Sequence, residues 1–227
     1  SIYREKKNYI NNTIQNLYKT KSLNTKLDIY VHIGDYNKTS NDSQYDMANY
    51  INDNLKNKIN ILETRFPEYD DLLSDKNIFK NVKDGVKDKK RQYWKSKANL
   101  DYYFGMTKLL KKTNPETVLF LEDDQKAITG WDLEILKNTE IMKTKENACH
   151  TKMSPLGTCA YLYNTKKMNI FAEFLYKNYQ SLPTDWLMND FIRKNPLIVL
   201  KPQKYVFEHE GEISSLPGKK QMRKVFK

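Results

Sequence analysis

The 227-residue sequence has only seven glycines, and they are too widely spaced for the loops that bind phosphate through backbone N–H groups. A dinucleotide-binding GxGxxG motif and a GxxxxGK[ST] P-loop both need glycines that stand close together. Neither motif can be formed from glycines at positions 34, 85, 105, 130, 157, 211 and 218. If a nucleotide binds to this chain, another kind of group must therefore hold its phosphates.

Histidine and cysteine are scarce too, with three and two residues respectively. They cannot form an HExxH zinc motif or paired CxxC motifs. Cys149 and Cys159 could form a disulfide or remain thiols, and the sequence leaves both possibilities open. The chain also has no run of about 20 apolar residues, the length needed to span a membrane, and no signal-peptide core. A membrane span in this segment is therefore not expected.

The chain carries a formal net charge of +11, which by itself would favour a nucleic-acid ligand. However, only five of its 39 basic residues are arginine, the residue suited to bidentate binding of phosphates and base edges. Scattered lysines mostly solvate a protein surface, so no nucleic-acid partner is expected. Hydrophobic residues make up 39% of the chain and aromatic residues 12%, which indicates a globular protein rather than a disordered polycation.

Hydrophobic periodicity alternates between that of helix and that of strand along the chain. Helices are predicted over residues 3–18, 47–55, 92–112, 131–142, 166–179 and 184–193. Strands are predicted over residues 26–33, 59–62, 117–121, 148–153, 160–163, 197–200 and 205–207. Residues 67–90 are expected to form a surface loop with one short helix. This order predicts an α/β protein with a single domain over residues 1–227, in which the apolar run 117–121 is a strand buried on both faces of the sheet.

Three adjacent carboxylates, Glu122, Asp123 and Asp124, follow that apolar strand directly. Ligands of open α/β sheets bind at the carboxyl ends of the strands. Adjacent carboxylates repel one another, and a divalent cation among them would relieve the repulsion. The same residues could instead form an acidic turn in front of the helix that begins at Trp131. The three carboxylates alone favour neither the cation site nor the turn.

Five motifs resemble, in order and spacing, those of the α-1,3-mannosyl-glycoprotein 4-β-N-acetylglucosaminyltransferase family. They are WKSKANLDY at 94–102, LEDD at 121–124, SPLG at 154–157, PTDWL at 183–187, and FEHEG at 207–211 with SSLPGK at 214–219. Weaker similarity extends to the first residues, so nearly the whole chain is covered. The resemblance implies a GT-A-type fold, with a Rossmann-like mixed sheet flanked by helices.

The same resemblance implies an enzyme that needs Mn²⁺ or Mg²⁺. It would transfer N-acetylglucosamine, or a related sugar, from a UDP-sugar to a hydroxyl of a glycan or glycoprotein acceptor, with inversion at the sugar. An enzyme that follows the family would work in the Golgi lumen, but the residues themselves leave the compartment open. The alternative is a non-catalytic module on a degenerate transferase fold that binds glycans or polyanions.

The resemblance assigns the metal site to the acidic motif. Asp124 is expected to bind the cation directly, and Asp123 to lie nearer the ribose or the sugar, with Glu122 completing the motif. His209 is expected to contact the cation or the diphosphate, although a lone histidine is more often structural. A metal in this position would offset the charge of a departing diphosphate, and it would replace the missing glycine-rich loop.

Asp185 is the expected catalytic base, because an inverting displacement needs a group that takes the proton of the attacking hydroxyl. Related GT-A N-acetylglucosaminyltransferases carry a similar base in an Asp-Trp pair. The alternative is that Asp185 only caps a helix, with Trp186 in the core. Asp190, about one helical turn further on, is the second candidate for the base.

The remaining expected contacts hold the donor. Lys97, Asn99 and Asp101 lie on the predicted helix 92–112 and are expected to face the nucleotide. The other donor contacts are expected from Arg4, Ser214, Ser215 and Lys219. The sequence departs from the family at Glu210, which replaces an apolar residue. The family's first strand is expected to be absent or to lie upstream of this segment, and no counterpart of the family's C-terminal carbohydrate-binding region is expected within it.

Overall fold

Groups of helices alternate with pairs of strands along the part of the chain that the computed structural model describes, which comprises residues 9–24, 26–32, 59–62, 69–155 and 159–210. The helices are α1 (Tyr9–Thr20), α2 (Tyr69–Leu72), α3 (Asp75–Ile78), α4 (Lys89–Lys112), α5 (Trp131–Lys143), α6 (Thr165–Asn178) and α7 (Thr184–Lys194). The strands are β1 (Tyr30–Val31), β2 (Asn60–Ile61), β3 (Thr117–Leu121), β4 (Gln125–Ala127), β5 (Ala148–Lys152), β6 (Ala160–Asn164), β7 (Ile198–Leu200) and β8 (Phe207–His209).

The chain forms two compact units. The first comprises Ser1–Lys7, Lys26–Thr113 and Ala172–Leu187, and the second comprises Asn8–Thr25, Asn114–Phe171 and Met188–Lys227. A mixed α/β fold is confirmed by the strands and helices of both units. The assignment of residues 1–227 to one catalytic domain stays a prediction.

The first unit contains the parallel pair β1–β2 and the long helix α4. Asp88 caps α4, because its side chain accepts a hydrogen bond of 2.7 Å from the backbone N–H of Arg91. One face of α4 packs against the short helices α2 and α3. One core cluster of this unit, among its described residues, consists of Leu73, Ile78, Leu100, Phe104 and Tyr179.

The second unit is built on a four-stranded sheet with the order β3-β6-β5-β7. β6 pairs antiparallel with both β3 and β5, while β7 runs parallel to β5. Helix α5 packs on β5 and β6. The most buried side chains of the sheet come from its central strands, as Ala148, Cys149 and Tyr163 show with no exposed surface.

A second, smaller pairing in this unit joins β4 to β8 antiparallel, with Gln125 opposite His209 and Ala127 opposite Phe207. Helix α1 lies against β4 through its apolar face, which includes Ile10 and Ile14. Trp131, at the start of α5, packs against Phe207 and donates from its indole nitrogen to the Leu17 carbonyl oxygen at 3.2 Å. The pairing of β4 with β8 positions the residues that follow β3.

Several sequence-based expectations need correction. The strand 117–121 has the predicted bounds but not the predicted burial: it lies at one end of the four-stranded sheet, and of its five residues only Val118 is buried. Segment 67–90 contains two short helices rather than one. The predicted helix 47–55 lies outside the described residues.

Both cysteines are buried free thiols, so the thiol alternative applies rather than the disulfide. Within the described ranges, no helix combines the length and the apolar character that crossing a bilayer requires.

Candidate functional site

Strands β3 and β6 bring Glu122 next to Cys159. Leu121 at the end of β3 is opposite Ala160 at the start of β6. One residue beyond this pair, the backbone N–H of Glu122 donates to the carbonyl oxygen of Cys159 at 2.9 Å. The antiparallel ladder therefore continues past both strand ends and fixes the backbone of these two residues relative to each other.

Strands β4 and β8 bring Asp124 next to His209. Because Gln125 is opposite His209, the chain on either side of this pair runs close together, and Glu210 N–H donates to the Asp124 carbonyl oxygen at 2.9 Å. His209 Nε2 lies 3.1 Å from Asp124 Oδ2. The side chain of Asp124 is only 1% exposed, and its Oδ1 accepts a hydrogen bond of 3.1 Å from Gln125 Nε2. Asp124 is thus a buried carboxylate held against a histidine.

Helix α1 contacts the segment 123–127 through side-chain hydrogen bonds to its backbone. The Thr13 hydroxyl lies 2.7 Å from the Asp123 carbonyl oxygen and 2.8 Å from that of Gln125. Asn16 Oδ1 accepts a hydrogen bond of 2.6 Å from the backbone N–H of Ala127. These contacts satisfy backbone groups of the turn between β3 and β4 and of β4 itself, and they hold both segments against α1.

Glu122, Cys159 and His209 form a cluster of potential metal ligands. One ligand atom of each residue lies within 4.8 Å of the others, and Asp124 reaches the cluster through its contact with His209. Burial raises the pKa of the Cys159 thiol, and the negative charges of Glu122 and Asp124 raise that pKa further. A carboxylate, an imidazole and a thiol are together a donor set that fits a divalent cation.

The sequence predicted three members of this group, Glu122, Asp124 and His209, but not Cys159. No CxxC spacing marks Cys159, and it lies 37 positions after Glu122. A usable signal existed in the two predicted strands, since an antiparallel pair of 117–121 with 160–163 would bring their adjoining residues together. Direct binding of a cation by Asp124 or His209 stays a prediction.

Asp185 is the second residue of α7, which begins at Thr184. Its Oδ1 accepts a hydrogen bond of 3.0 Å from the backbone N–H of Trp186, so the carboxylate lies at the helix start. Trp186 is 55% exposed, which contradicts the alternative that placed it in the core. Asp190 is engaged within the same helix, where Lys194 donates to it at 2.6 Å. The roles of both aspartates as base candidates stay predictions.

Lys97 and Asp101, one turn apart on α4, form an ion pair of 2.9 Å. The Tyr69 hydroxyl donates to Asp101, and His32 Nε2 lies 3.9 Å from the same carboxylate. Burial by itself would raise the pKa of Asp101, but Lys97, His32 and Tyr69 outweigh burial, so the pKa lies below its usual value. Burial lowers the pKa of His32. The structure therefore adds Tyr69 and His32 to the predicted pair.

Asn99 is completely buried and binds the segment that leads into α7. Its side-chain Nδ2 donates to the carbonyl oxygens of Tyr179 and Leu182, each at 2.8 Å. Its Oδ1 accepts a hydrogen bond of 2.7 Å from the Thr184 hydroxyl, beside Asp185. Asn99 thus holds the start of α7, while its contact with a nucleotide stays a prediction.

Asp123 is partly buried in the turn before β4, and its proposed contact with the donor stays a prediction. The other expected donor-binding residues lie outside the described residues. They are Arg4, Ser214, Ser215 and Lys219.

No protein-family model matches the chain. Its sequence is similar to the alpha-1,3-mannosyl-glycoprotein 4-beta-N-acetylglucosaminyltransferase B of Danio rerio, with 28% identity over 99% of this chain and 43% of the relative. It is 27% identical to the corresponding transferase C of Macaca fascicularis, over 96% of this chain and 45% of the relative. It is also 26% identical to the alpha-1,6-mannosyl-glycoprotein 4-beta-N-acetylglucosaminyltransferase of Gallus gallus, over 96% of this chain and 46% of the relative.

The chain spans less than half the length of these curated relatives, and it matches them over nearly all of its own length. The names of the relatives support a glycosyltransferase enzyme. The resemblance to the 4-β-N-acetylglucosaminyltransferases, first indicated by five short motifs, is confirmed by similarity along nearly the whole chain.

Proposed function

We propose that this chain is the catalytic part of a metal-dependent, inverting glycosyltransferase of the GT-A type. It moves N-acetylglucosamine or a related sugar from a UDP-sugar to a hydroxyl of a glycan or glycoprotein acceptor. The observation that carries the proposal is the meeting of Glu122, Asp124 and His209 at the carboxyl end of β3. It stands in a chain whose relatives are named as N-acetylglucosaminyltransferases.

The position and the donor set of this group support a cation site. Two independent antiparallel pairings, β3 with β6 and β4 with β8, fix its backbone. The buried carboxylate of Asp124 fixes the ring of His209, as is usual for metal-binding histidines. A divalent cation bound here would offset the negative charge that develops on the departing UDP.

Asp185 serves as the base of the transfer. Its carboxylate accepts the proton of the attacking acceptor hydroxyl while the hydroxyl oxygen bonds to the anomeric carbon of the sugar. The bond from that carbon to the β-phosphate oxygen breaks, and its electron pair leaves with UDP. Trp186, more than half exposed beside Asp185, offers an aromatic face on which an acceptor sugar can stack.

The donor is held by the remaining predicted residues. Lys97 and Asp101 bind the nucleoside, and Asp123 contacts the ribose or the sugar. Phosphate contacts come from Arg4, Ser214, Ser215 and Lys219. In this scheme Asn99 positions the start of α7 through its hydrogen bond with Thr184.

The first test is the variant Asp124→Ala, assayed for Mn²⁺-dependent hydrolysis of UDP-sugars and for transfer to glycans. Activity should fall to background, because the variant removes the buried carboxylate that holds His209. Glu140→Ala is the matched control, since that carboxylate is on the exposed face of α5 and pairs only with surface lysine in the described contacts. Unchanged turnover in Asp124→Ala would contradict the proposal.

The second test separates the base from the donor site. Asp185→Asn should leave UDP binding intact while transfer collapses, because the amide cannot take a proton. Asn189→Ala, at an exposed position of the same helix, is the control, and Asp190→Asn tests the second candidate for the base. Equal loss of binding and transfer in Asp185→Asn would make Asp185 structural.

Calorimetry with UDP, with and without Mn²⁺, addresses the non-catalytic alternative. Metal-linked UDP affinity supports the transferase. Binding of polyanions with a steep salt dependence, and none of UDP, would favour the binding module instead.

A further inference from the structure

The group at the end of β3 contains a thiol, which sites for Mg²⁺ or Mn²⁺ normally lack. Those cations bind carboxylate, carbonyl and water oxygens. Zn²⁺ and Co²⁺ also bind thiolate and imidazole ligands. Three protein ligands with one open position are typical of catalytic zinc sites. The donor atoms of Glu122, Cys159 and His209 comprise one oxygen, one sulfur and one nitrogen.

The spacing of these atoms suits such a site. A tetrahedral zinc centre with ordinary bond lengths separates its ligand atoms by about 3.3–3.6 Å. The three atoms here lie within 4.8 Å of one another, which is close enough for one cation to reach all three once the side chains adjust. Cys159 is 7% exposed and lies immediately before β6, where its backbone is fixed by the contact with Glu122.

The neighbouring residues strengthen this assignment. Asp124 lies 3.1 Å from His209 Nε2. A carboxylate commonly orients a metal-binding histidine through one ring nitrogen while the other binds the metal, so this contact would assign Nδ1 of His209 to the cation. Asp124 itself accepts a hydrogen bond from Gln125. In this arrangement Asp124 positions His209, and the ligands are the three residues around it.

We propose that Glu122, Cys159 and His209 form a three-ligand site for a thiophilic divalent cation such as Zn²⁺. The fourth position is open to an oxygen of a ligand. Only the identity of that ligand, a nucleoside diphosphate, rests on the proposed function. The site binds Zn²⁺ and Co²⁺ in strong preference to Mg²⁺, because Cys159 provides one of the three bonds.

The test is titration of the metal-free protein with Co²⁺, followed by absorption spectroscopy. One equivalent of Co²⁺ should produce a thiolate-to-cobalt charge-transfer band together with the visible bands of a tetrahedral site. Zn²⁺ at one equivalent should remove these bands, and Mg²⁺ in large excess should not. Absence of the charge-transfer band in the unaltered protein would overturn the proposal.

Variants identify the ligands. Cys159→Ala should lose the charge-transfer band, whereas Cys149→Ala, the matched control at the other buried cysteine, should keep it. Glu122→Gln, which is nearly isosteric, and His209→Gln, which removes the imidazole, should each weaken Co²⁺ binding by more than about 100-fold, because loss of a ligand exceeds the 10–100-fold effect of an orienting partner. Asp124→Asn should keep the band with binding weakened about 10–100-fold. A band retained in Cys159→Ala would refute the assignment of the thiol.

These results are independent of catalysis. Cobalt binding through Cys159 in a protein that transfers no sugar would uphold the metal site and reject the proposed function. Absence of the charge-transfer band, together with Mn²⁺-dependent transfer that is unchanged in Cys159→Ala, would reject the metal site and uphold the proposed function.

Discussion

Replacing Asn99 with alanine should lower the free energy of unfolding by about 3 kcal/mol. The change removes two hydrogen bonds to the carbonyl oxygens of Tyr179 and Leu182, and one from the Thr184 hydroxyl. Each bond contributes about 1 kcal/mol, and more where a buried partner is left unsatisfied. Asn99 has no exposed surface, so water does not replace the lost bonds without rearrangement.

Urea unfolding followed by tryptophan fluorescence measures the effect as a shift of the midpoint at unchanged slope. The matched control is Asn138→Ala, at an asparagine that is only 2% exposed and whose amide donates to Glu134 one turn earlier in α5. Because its bonds are local to one helix, the expected loss there is about 1 kcal/mol. A double-mutant cycle of Asn99→Ala with Thr184→Val should give a coupling energy of about 1 kcal/mol.

The experiment also distinguishes two roles for Asn99. If Asn99 mainly contacts the nucleotide, the variant should lose UDP affinity and keep its stability within about 0.5 kcal/mol, the range of a surface substitution. That result, or a coupling energy of zero with Thr184, would refute the role in holding the start of α7.

Three further predictions concern stability and its dependence on pH. Burial lowers the pKa of His150 to about 4, so the stability that neutral His150 allows is complete above the unfolded-state pKa of 6.5 and is lost as the pH falls from there towards 4. At about 1.4 kcal/mol per pKa unit, the loss in unfolding free energy is about 3 kcal/mol. His150→Phe should flatten that part of the pH profile, as measured by urea unfolding. Lys95→Met should cost about 3 kcal/mol of unfolding free energy, because the buried Asp84 carboxylate, which lies 2.8 Å from the Lys95 ammonium, loses its charge partner. Adding Asp84→Asn to the same chain should restore much of the loss, because it removes the unpaired charge. Thr13→Val should lower the unfolding free energy by about 1 kcal/mol and weaken Co²⁺ binding, because it removes the hydrogen bond to the Asp123 carbonyl oxygen. Unchanged Co²⁺ affinity would show that α1 does not support the proposed metal site.

The acidic site was only partly predictable from the sequence. The strand 117–121 and the carboxylates after it are local features, and the structure has them at the predicted positions. The prediction that this strand is buried on both faces was wrong. An apolar run does not show that the strand lies at one end of a sheet, with the antiparallel β6 as its neighbour. Position within a sheet depends on distant partners rather than on local periodicity.

The pairing of β4 with β8 shows the same limit. Gln125, Lys126 and Ala127 do not alternate in polarity, so no pattern predicts a strand there. The strand exists because residues 207–209 pair with it, and because α1 satisfies its other backbone groups. Cys159 was not predicted for a related reason, since its neighbours Glu122 and His209 come from the end of β3 and from β8.

Four of the five sequence motifs nevertheless contain residues that contact one another, in two pairs, within the described part of the chain. Within the first unit, Asn99 of the segment 94–102 binds Thr184 of the segment 183–187. Within the second, the acidic segment pairs with residues 207–210 through β4 and β8. We expect each pair to contain residues that bind a ligand and residues that only support them. A sequence motif does not distinguish these two roles. Unfolding free energy reports on the residues that hold the site, and cobalt affinity reports on those that bind. Only both measurements on one set of variants can divide each motif into its supporting and its reactive residues.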